Sequence, residues 1–192
     1  MGLQTVVSRT LPPRRPGVIT VGAFHSGTKH NIISDAAHLQ LTVRTESPQD
    51  RTLLLDGIRR VAENMGRVAG LPDELLPEVV VSEESVPPTL NDKVLTERVM
   101  ALWNGHFGEG VLFSGERLGM GAEDFPFFTV NPYIPSLYFA VGGTPPEDFA
   151  VEKAGGPPVP SHHSPLFKIE PDASVTLGVE ASVTALLDLL GS

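Results

Sequence analysis

The amino-acid sequence predicts an α/β protein, with an antiparallel sheet covered by a helix in the first part of the chain and an α/β arrangement in the second. Apolar and polar residues alternate along Ala37–Thr45, which is the pattern of a strand with one buried face. Apolar residues recur at spacings of three and four after Ser47 and again from Asp172 to Leu190, as in amphipathic helices.

Two strands are predicted on either side of a short turn. Val18–Phe24 is rich in β-branched residues, and Gly27–Asp35 supplies the turn that precedes the second strand, Ala37–Thr45. The alternation in that second strand directs its leucines and valine to one face. It leaves Arg44 on the other face, which is free to meet water, a partner or a ligand.

A helix and a third strand are predicted next. Ser47 is a favourable N-cap, and Pro48 suits the first helical position. The helix carries one apolar stripe, formed by Leu54, Ile58, Val61, Met65 and Val68. Glu78–Ser82 is predicted as a short strand. Because these elements leave only a small core, we expect the natural polypeptide to begin before Met1.

The pattern changes after Pro87 and Pro88. Asn91 is predicted to cap a helix, Leu137–Val141 is predicted as a strand, and a terminal helix is expected from about Asp172 to Leu190. The apolar face of the terminal helix comprises Val175, Val179, Val183, Leu186 and Leu190. The partner strands that an α/β layer needs are not evident in the sequence.

The composition excludes several classes of function. The 192 residues include 14 Lys plus Arg and 23 Asp plus Glu, and the net charge of −9 argues against nucleic acid or an anionic membrane as the partner. The absence of cysteine excludes disulfides and thiolate metal sites. Without a signal-peptide core or a long apolar run, the sequence predicts a cytoplasmic protein.

Two loops carry residues suited to binding. His162 and His163 are adjacent in a Gly/Pro-rich loop, and neutral imidazole nitrogens ligate metals, although a surface pair without a metal is the commoner alternative. Glu123 and Asp124 follow two glycines within Gly119–Phe125, where the backbone can approach a ligand closely. The alternative there is an ordinary capped turn.

The predicted sheet carries further candidates. Arg44 can grip a carboxylate with two parallel hydrogen bonds, although an arginine on an open sheet face is most often only solvated. His30 and Asn31 lie in the strand-to-strand turn, where asparagine is also favoured for purely conformational reasons. The Glu83–Glu84 pair has no other candidate group beside it and is interpreted as a solvated edge.

Five short stretches follow one another along nearly the whole chain. They are Leu3–Arg9, Val21–Ile33, Thr42–Thr45, Met120–Phe125 and His163–Phe167. In this order and spacing they resemble the amidohydrolase family of aminoacylases, hippurate hydrolases and indole-acetyl-amino-acid hydrolases. The resemblance implies a catalytic α/β domain with an inserted α+β lid domain that mediates dimerisation, and this chain would be the C-terminal portion of such an enzyme.

The resemblance also implies a domain division and site residues. Residues 1–86 would be the lid, incomplete at its N-terminus, and residues 87–192 would return to the catalytic domain. His163 matches a metal ligand, with His162 only its neighbour. Substrate contacts would come from His30, Asn31, Arg44, Glu123 and Asp124.

The implied reaction is hydrolysis of the amide bond of an N-acyl amino acid by a homodimer that carries two divalent ions, zinc or manganese, in each active site. No catalytic residue is assigned in this chain, because the general base and the other metal ligands are expected upstream. Ser34 stands where the family usually has proline, which is expected to loosen the turn that holds Asn31. The alternative is a non-catalytic dimerisation or ligand-binding module derived from such an enzyme.

Overall fold

The computed structural model describes residues 2–113, 115 and 119–191. The described residues form two compact units. Unit 1 contains those of Met1–Leu90 and Leu118–Ile134, and unit 2 those of Asn91–Arg117 and Pro135–Ser192. The elements are α1 Gln4–Thr10, β1 Gly17–Ser26, β2 Ala37–Thr45, α2 Pro48–Val68, α3 Lys93–Phe107, α4 Pro146–Lys153 and α5 Pro171–Leu190, with 3-10 turns at Asp73–Leu75 and Phe125–Phe128.

The sheet of unit 1 is an antiparallel pair of β1 and β2. Its register runs from the Gly17–Thr45 pair to the Ser26–Ala37 pair, and Gly22 is the extra residue of a β-bulge between Val21 and Ala23. The mixture of helix and antiparallel sheet predicted from the sequence is confirmed, and the bounds of β2 are those predicted.

The core of unit 1 joins α1, α2 and the sheet. Val6 of α1, Leu11 and Leu54 of α2 are buried together, with Ile19 and Val43 of the two strands packed against them. The predicted cap of α2 is confirmed, because Ser47 Oγ accepts a hydrogen bond of 3.1 Å from the amide of Asp50. The helix α1, whose Val6 anchors this core, was not predicted from the sequence.

A buried carboxylate fixes the loop before β1. Asp50, in the first turn of α2, is only 3% exposed. Arg15 Nη1 lies 2.8 Å from Asp50 Oδ1, at an angle that makes the contact an ion pair rather than a directional hydrogen bond. The half-exposed arginine therefore compensates a charge that would be costly to bury alone.

Unit 2 is centred on the packing of α3 against α5. Val99 and Trp103 of α3 are buried with Ala181 of α5, and Trp103 Nε1 donates a hydrogen bond of 2.9 Å to the Ala181 carbonyl. At the rim of this contact, Arg98 forms an ion pair with Asp188 at 2.7 Å, and His106 Nε2 lies within hydrogen-bond distance, 2.8 Å, of Glu180 Oε1. The charged side chains of α5 in these pairs thus face α3.

Three sequence predictions for local structure are wrong. Neither Glu78–Ser82 nor Leu137–Val141 forms a strand with a partner among the described residues. The cap of α3 is Asp92, whose Oδ1 accepts a hydrogen bond of 2.8 Å from the Leu95 amide, whereas Asn91 binds the backbone of Tyr138. A strand pattern in the sequence predicts an extended chain with alternating faces. The hydrogen bonds of a sheet also need a second chain segment at the correct distance, which a local pattern cannot supply.

The terminal helix α5 is apolar on both sides. Ala181 is buried against α3, whereas the outer face, comprising Val175, Val179, Val183, Leu186 and Leu190, is 47% to 82% exposed. By length and composition alone α5 could span a membrane, with a mean hydropathy of 1.5. The sequence predicted this apolar face correctly, and the described residues leave it uncovered.

Candidate functional site

The turn between β1 and β2 forms an open, polar concavity in unit 1. Its volume is about 410 Å³, and its lining residues are Ser26, Gly27, Thr28, Lys29, His30, Ile32 and Ser34. The side chains of His30 and Asn31 are exposed and make no hydrogen bond to another described residue. Lys29 places a cation beside His30, and the sequence analysis did not single it out although it lies within a family-like stretch.

The exit of this turn is held by hydrogen bonds. Ser34 Oγ donates to the Ala36 carbonyl at 2.6 Å and accepts from the Ala36 amide at 3.3 Å. Ser26 Oγ donates to the same carbonyl at 3.0 Å. Serine was expected to loosen the turn relative to proline, but its hydroxyl supplies local bonds that restrict the backbone in another way.

Arg44 connects the sheet to the glycine-containing loop. It lies on the exposed face of β2, and its Nη1 donates a hydrogen bond of 2.5 Å to the carbonyl of Met120. Glu123 and Asp124 are exposed in the same loop, immediately before the 3-10 turn Phe125–Phe128. Three predicted site residues that the sequence analysis assigned to different domains therefore belong to one unit.

The guanidinium of Arg44 has donors to spare. One of its five N–H groups is used by the Met120 carbonyl, and no other hydrogen bond from it reaches a described residue. The bond to Met120 orients the planar group, so less conformational freedom is lost when a carboxylate binds the remaining donors. Within unit 1 this group is well suited to hold an anionic ligand.

The paired histidines lie in unit 2. His162 and His163 occupy the central positions of a turn closed by a 2.8 Å hydrogen bond from the Ser164 amide to the Ser161 carbonyl. Their rings are 4.6 Å apart between centroids and tilted by 56°, and both residues are exposed. Ser164 Oγ accepts a hydrogen bond from the Leu166 amide, which fixes the exit of the turn.

The donor set around these histidines does not complete a metal site. Within the part of the chain that the structure describes, no group of three or more His, Asp or Glu side chains is placed to hold a metal ion. A structural or catalytic divalent ion needs at least three protein ligands in most sites. His163 can therefore supply one imidazole of a site, but the described residues do not supply the rest.

Curated relatives of the chain are hydrolases. An uncharacterized hydrolase of Sinorhizobium fredii is 31% identical over 189 residues, which are 98% of this chain and 42% of the relative. An N-acetyldiaminopimelate deacetylase of Streptococcus thermophilus is 27% identical over 73% of this chain and 35% of its own length. A hippurate hydrolase of Campylobacter jejuni is 28% identical over 67% of this chain and 32% of its own length.

The fold has a counterpart among solved structures. A crystal structure of an aminohydrolase from methicillin-resistant Staphylococcus aureus matches with a TM-score of 0.70 and 26% identity, over 97% of this chain and 43% of that one. No protein-family model matches the chain. The chain spans less than half the length of each of these proteins, a share that fits the C-terminal portion of such an enzyme. The chain belongs to the amidohydrolase family that includes N-acetyldiaminopimelate deacetylases and hippurate hydrolases.

Proposed function

We propose that this chain is the C-terminal portion of a metal-dependent amidohydrolase that cleaves the amide bond of N-acyl amino acids. The observation that supports this substrate class best is the oriented, exposed guanidinium of Arg44 beside the loop of Glu123 and Asp124. An N-acyl amino acid carries a carboxylate close to its amide, and a guanidinium binds such a carboxylate bidentately. The relatives named for hippurate and for N-acetyldiaminopimelate act on molecules of this kind.

The other predicted substrate contacts have separate roles in the proposal. Arg44 holds the substrate carboxylate. It pairs with Val18, at the end of the β1–β2 hairpin opposite the turn and about 23 Å from Ala37 at 3.3 Å per residue, so it cannot share one small substrate with Asn31 and His30 of the same subunit. In the homodimer, Asn31 and His30 of one subunit would donate hydrogen bonds to the acyl group of the substrate whose carboxylate is held by Arg44 of the other. Glu123 and Asp124 line the same substrate site and bind polar groups of the amino acid side chain. Fixing the substrate at both ends of its amide reduces the entropy lost on reaching the transition state.

The metal chemistry is completed outside the described residues. Two zinc or manganese ions would polarise the amide carbonyl and activate water. His163 is the proposed ligand from this chain, and His162 is its non-ligating neighbour. The remaining described side chains do not complete a metal site, and the general base would come from a part of the enzyme upstream of them.

The assembly follows from the same proposal. Residues 1–86 would act as a lid that forms a homodimer, and residues 87–192 would complete the catalytic domain. The protein would act in the cytoplasm on a small-molecule substrate. Alone, the 192-residue chain is expected to hydrolyse N-acyl amino acids negligibly, because the single proposed ligand, His163, cannot hold a catalytic ion.

The test compares two substrates on the full-length gene product loaded with zinc or manganese. Hippurate and N-methylbenzamide share the benzoyl amide, but only hippurate carries a carboxylate. A carboxylate held by a charged pair of hydrogen bonds is worth about 1.5–3 kcal/mol, so kcat/KM should favour hippurate by roughly 10- to 100-fold.

The matched variants separate the role of Arg44 from a general loss of charge. Arg44→Ala should remove most of the preference for hippurate, whereas Arg59→Ala, which removes an exposed arginine paired with Asp56 on α2, should retain it. Absence of hydrolysis across a broad panel of N-acyl amino acids would refute the proposed function. An unchanged preference in Arg44→Ala would refute the assigned contact alone.

A further inference from the structure

Two histidines face each other across the hairpin of unit 1. In the ladder of β1 and β2, His25 is paired directly with His38. The side chains of directly paired residues project from the same face of a sheet, and their Cβ atoms lie about 4.5–5.5 Å apart. The pair lies near the turn that carries His30 and Asn31, but neither imidazole has a part in the proposed function.

The β-bulge at Gly22 creates this pairing. The extra residue shifts the register of β1 by one position relative to β2. Without it, Phe24 would oppose His38, and His25 would project from the other face, because a shift of one residue exchanges the two faces of a strand. The bulge therefore places both imidazoles on the face of the sheet that points away from α2.

Both imidazoles are available to a ligand. The two histidines are exposed, and neither makes a hydrogen bond or an ion pair with another described residue. The neighbouring pair on the same face of the ladder consists of Ala23 and Gln40, which carry no charge. A cation bound between the histidines would therefore meet no positive side chain from that pair.

Two neutral imidazoles on one face of a sheet suit a particular class of divalent ion. Nickel, copper and zinc bind imidazole nitrogen well, whereas magnesium and calcium prefer oxygen ligands. Zinc lies about 2.0–2.1 Å from an imidazole nitrogen, so two nitrogens on one zinc ion lie roughly 3–3.5 Å apart. Two histidines with Cβ atoms about 5 Å apart reach this separation by rotation of their side chains.

The ladder also gives this pair an advantage over the adjacent histidines of unit 2. His162 and His163 lie in a turn, whereas the backbones of His25 and His38 are joined by the ladder of the sheet. A spacing that is fixed before binding reduces the entropy lost when the ion binds.

We propose that His25 and His38 form a binding site for one divalent transition-metal ion of the nickel, copper and zinc class. The two imidazoles are the protein ligands, and water completes the coordination. No third His, Asp or Glu among the described residues joins them, so the ion is expected to exchange with solvent. The bound ion would hold β1 and β2 together beside the turn.

The test follows the ring nitrogens of all six histidines by NMR while zinc chloride is added to the 192-residue chain. The pH is chosen so that imidazole is neutral, because a protonated ring cannot ligate a metal. The ring signals of His25 and His38 should shift together along one saturating curve. Magnesium chloride at the same concentrations should leave both signals unchanged.

Two reciprocal substitutions test whether the imidazoles act as a pair. In His38→Gln, the zinc concentration that half-saturates the His25 signal should rise at least about 10-fold, since loss of a residue that only supports a ligand already costs about 10–100-fold in affinity. His25→Gln should have the same effect on the His38 signal. His106→Gln, at an exposed histidine of α3, is the matched control and should leave both curves intact.

Three results would overturn the proposal. They are ring signals that zinc does not shift, a His25 curve that is unchanged in His38→Gln, and an equal shift with magnesium. The second result would show two imidazoles that bind zinc independently. Both histidines are exposed, so the amide spectra of the variants should keep the pattern of the folded chain. The readout requires no hydrolysis, and its outcome therefore does not depend on the proposed function.

Discussion

The contact of α1 with α2 provides a sharp test of the packing in unit 1. Gly57 lies in the middle of α2 and is buried. A Cβ atom placed on it would lie 2.4 Å from Val6 Cγ1 and 3.4 Å from Val6 Cγ2. Valine has essentially one rotamer in a helix, so Val6 cannot turn away, and α1 must shift by about 1 Å to restore a normal contact.

The magnitude for Gly57→Ala follows from two opposing effects. Alanine is favoured over glycine in a helix interior by about 1 kcal/mol. Overpacking of a well-packed core costs about 1–3 kcal/mol. Because Val6 is only 1% exposed and held on both sides, we expect overpacking to prevail and Gly57→Ala to lower the free energy of unfolding.

The control is the same substitution without the clash. Gly105 lies in the last turns of α3, and a Cβ there would have no neighbour within 4 Å. Gly105→Ala should therefore stabilise by up to about 1 kcal/mol. Urea unfolding followed by circular dichroism measures the free energy of unfolding of both variants. If that free energy depends on urea concentration with the same slope in each variant, changes in the unfolded state are excluded.

A second substitution identifies the clash itself. Adding Val6→Ala to Gly57→Ala should restore part of the lost stability, with a coupling energy of about 0.5–3 kcal/mol between the two sites. If Gly57→Ala were as stabilising as Gly105→Ala, or the two sites showed no coupling, the close approach of α1 to α2 would be refuted.

Two further predictions concern charge and metal ligation. Arg15→Ala should destabilise unit 1 by about 1–3 kcal/mol, because it leaves the buried Asp50 carboxylate uncompensated. Arg14→Ala, at the adjacent exposed arginine, should have little effect on stability. Equal urea midpoints for the two variants would contradict the ion pair. In the metal-loaded full-length gene product, His163→Ala should lower the bound metal content, and it should lower kcat by at least about 100-fold. Loss of a residue that only hydrogen-bonds to a metal ligand already costs about 10–100-fold in metal affinity or activity, so loss of the ligand itself should cost more. His162→Ala should retain most of both, and the reverse result would assign the ligand to His162.

The sequence predicted elements whose cause is local. The alternation of Ala37–Thr45 and the Ser47 cap of α2 depend on residues close together in the chain, and both are found as predicted. The contact of Arg44 with Met120 joins residues 76 positions apart, and no local pattern encodes it. For the same reason no local pattern places Glu123 in unit 1.

The strand and helix patterns of unit 2 show a different limit. Periodicity correctly identified the apolar face of α5, but it cannot tell what will cover that face. Leu137–Val141 has the composition of a strand and the alternating contacts of one, yet lacks a second strand among the described residues. The short helices α1 and α4 were missed because their seven and eight residues are too few to establish a helical period.

The side-chain amide of Asn91 limits how the extended segment around Tyr138 can pair with other strands. A strand with two free edges can add chains on both sides and grow into an open-ended sheet, which is the route to aggregation. By pairing with both backbone groups of Tyr138, the Asn91 side chain takes the place of a neighbouring strand on one side. The edge of Tyr138 is therefore closed to an added strand, and a sheet can extend from this segment only on its other edge.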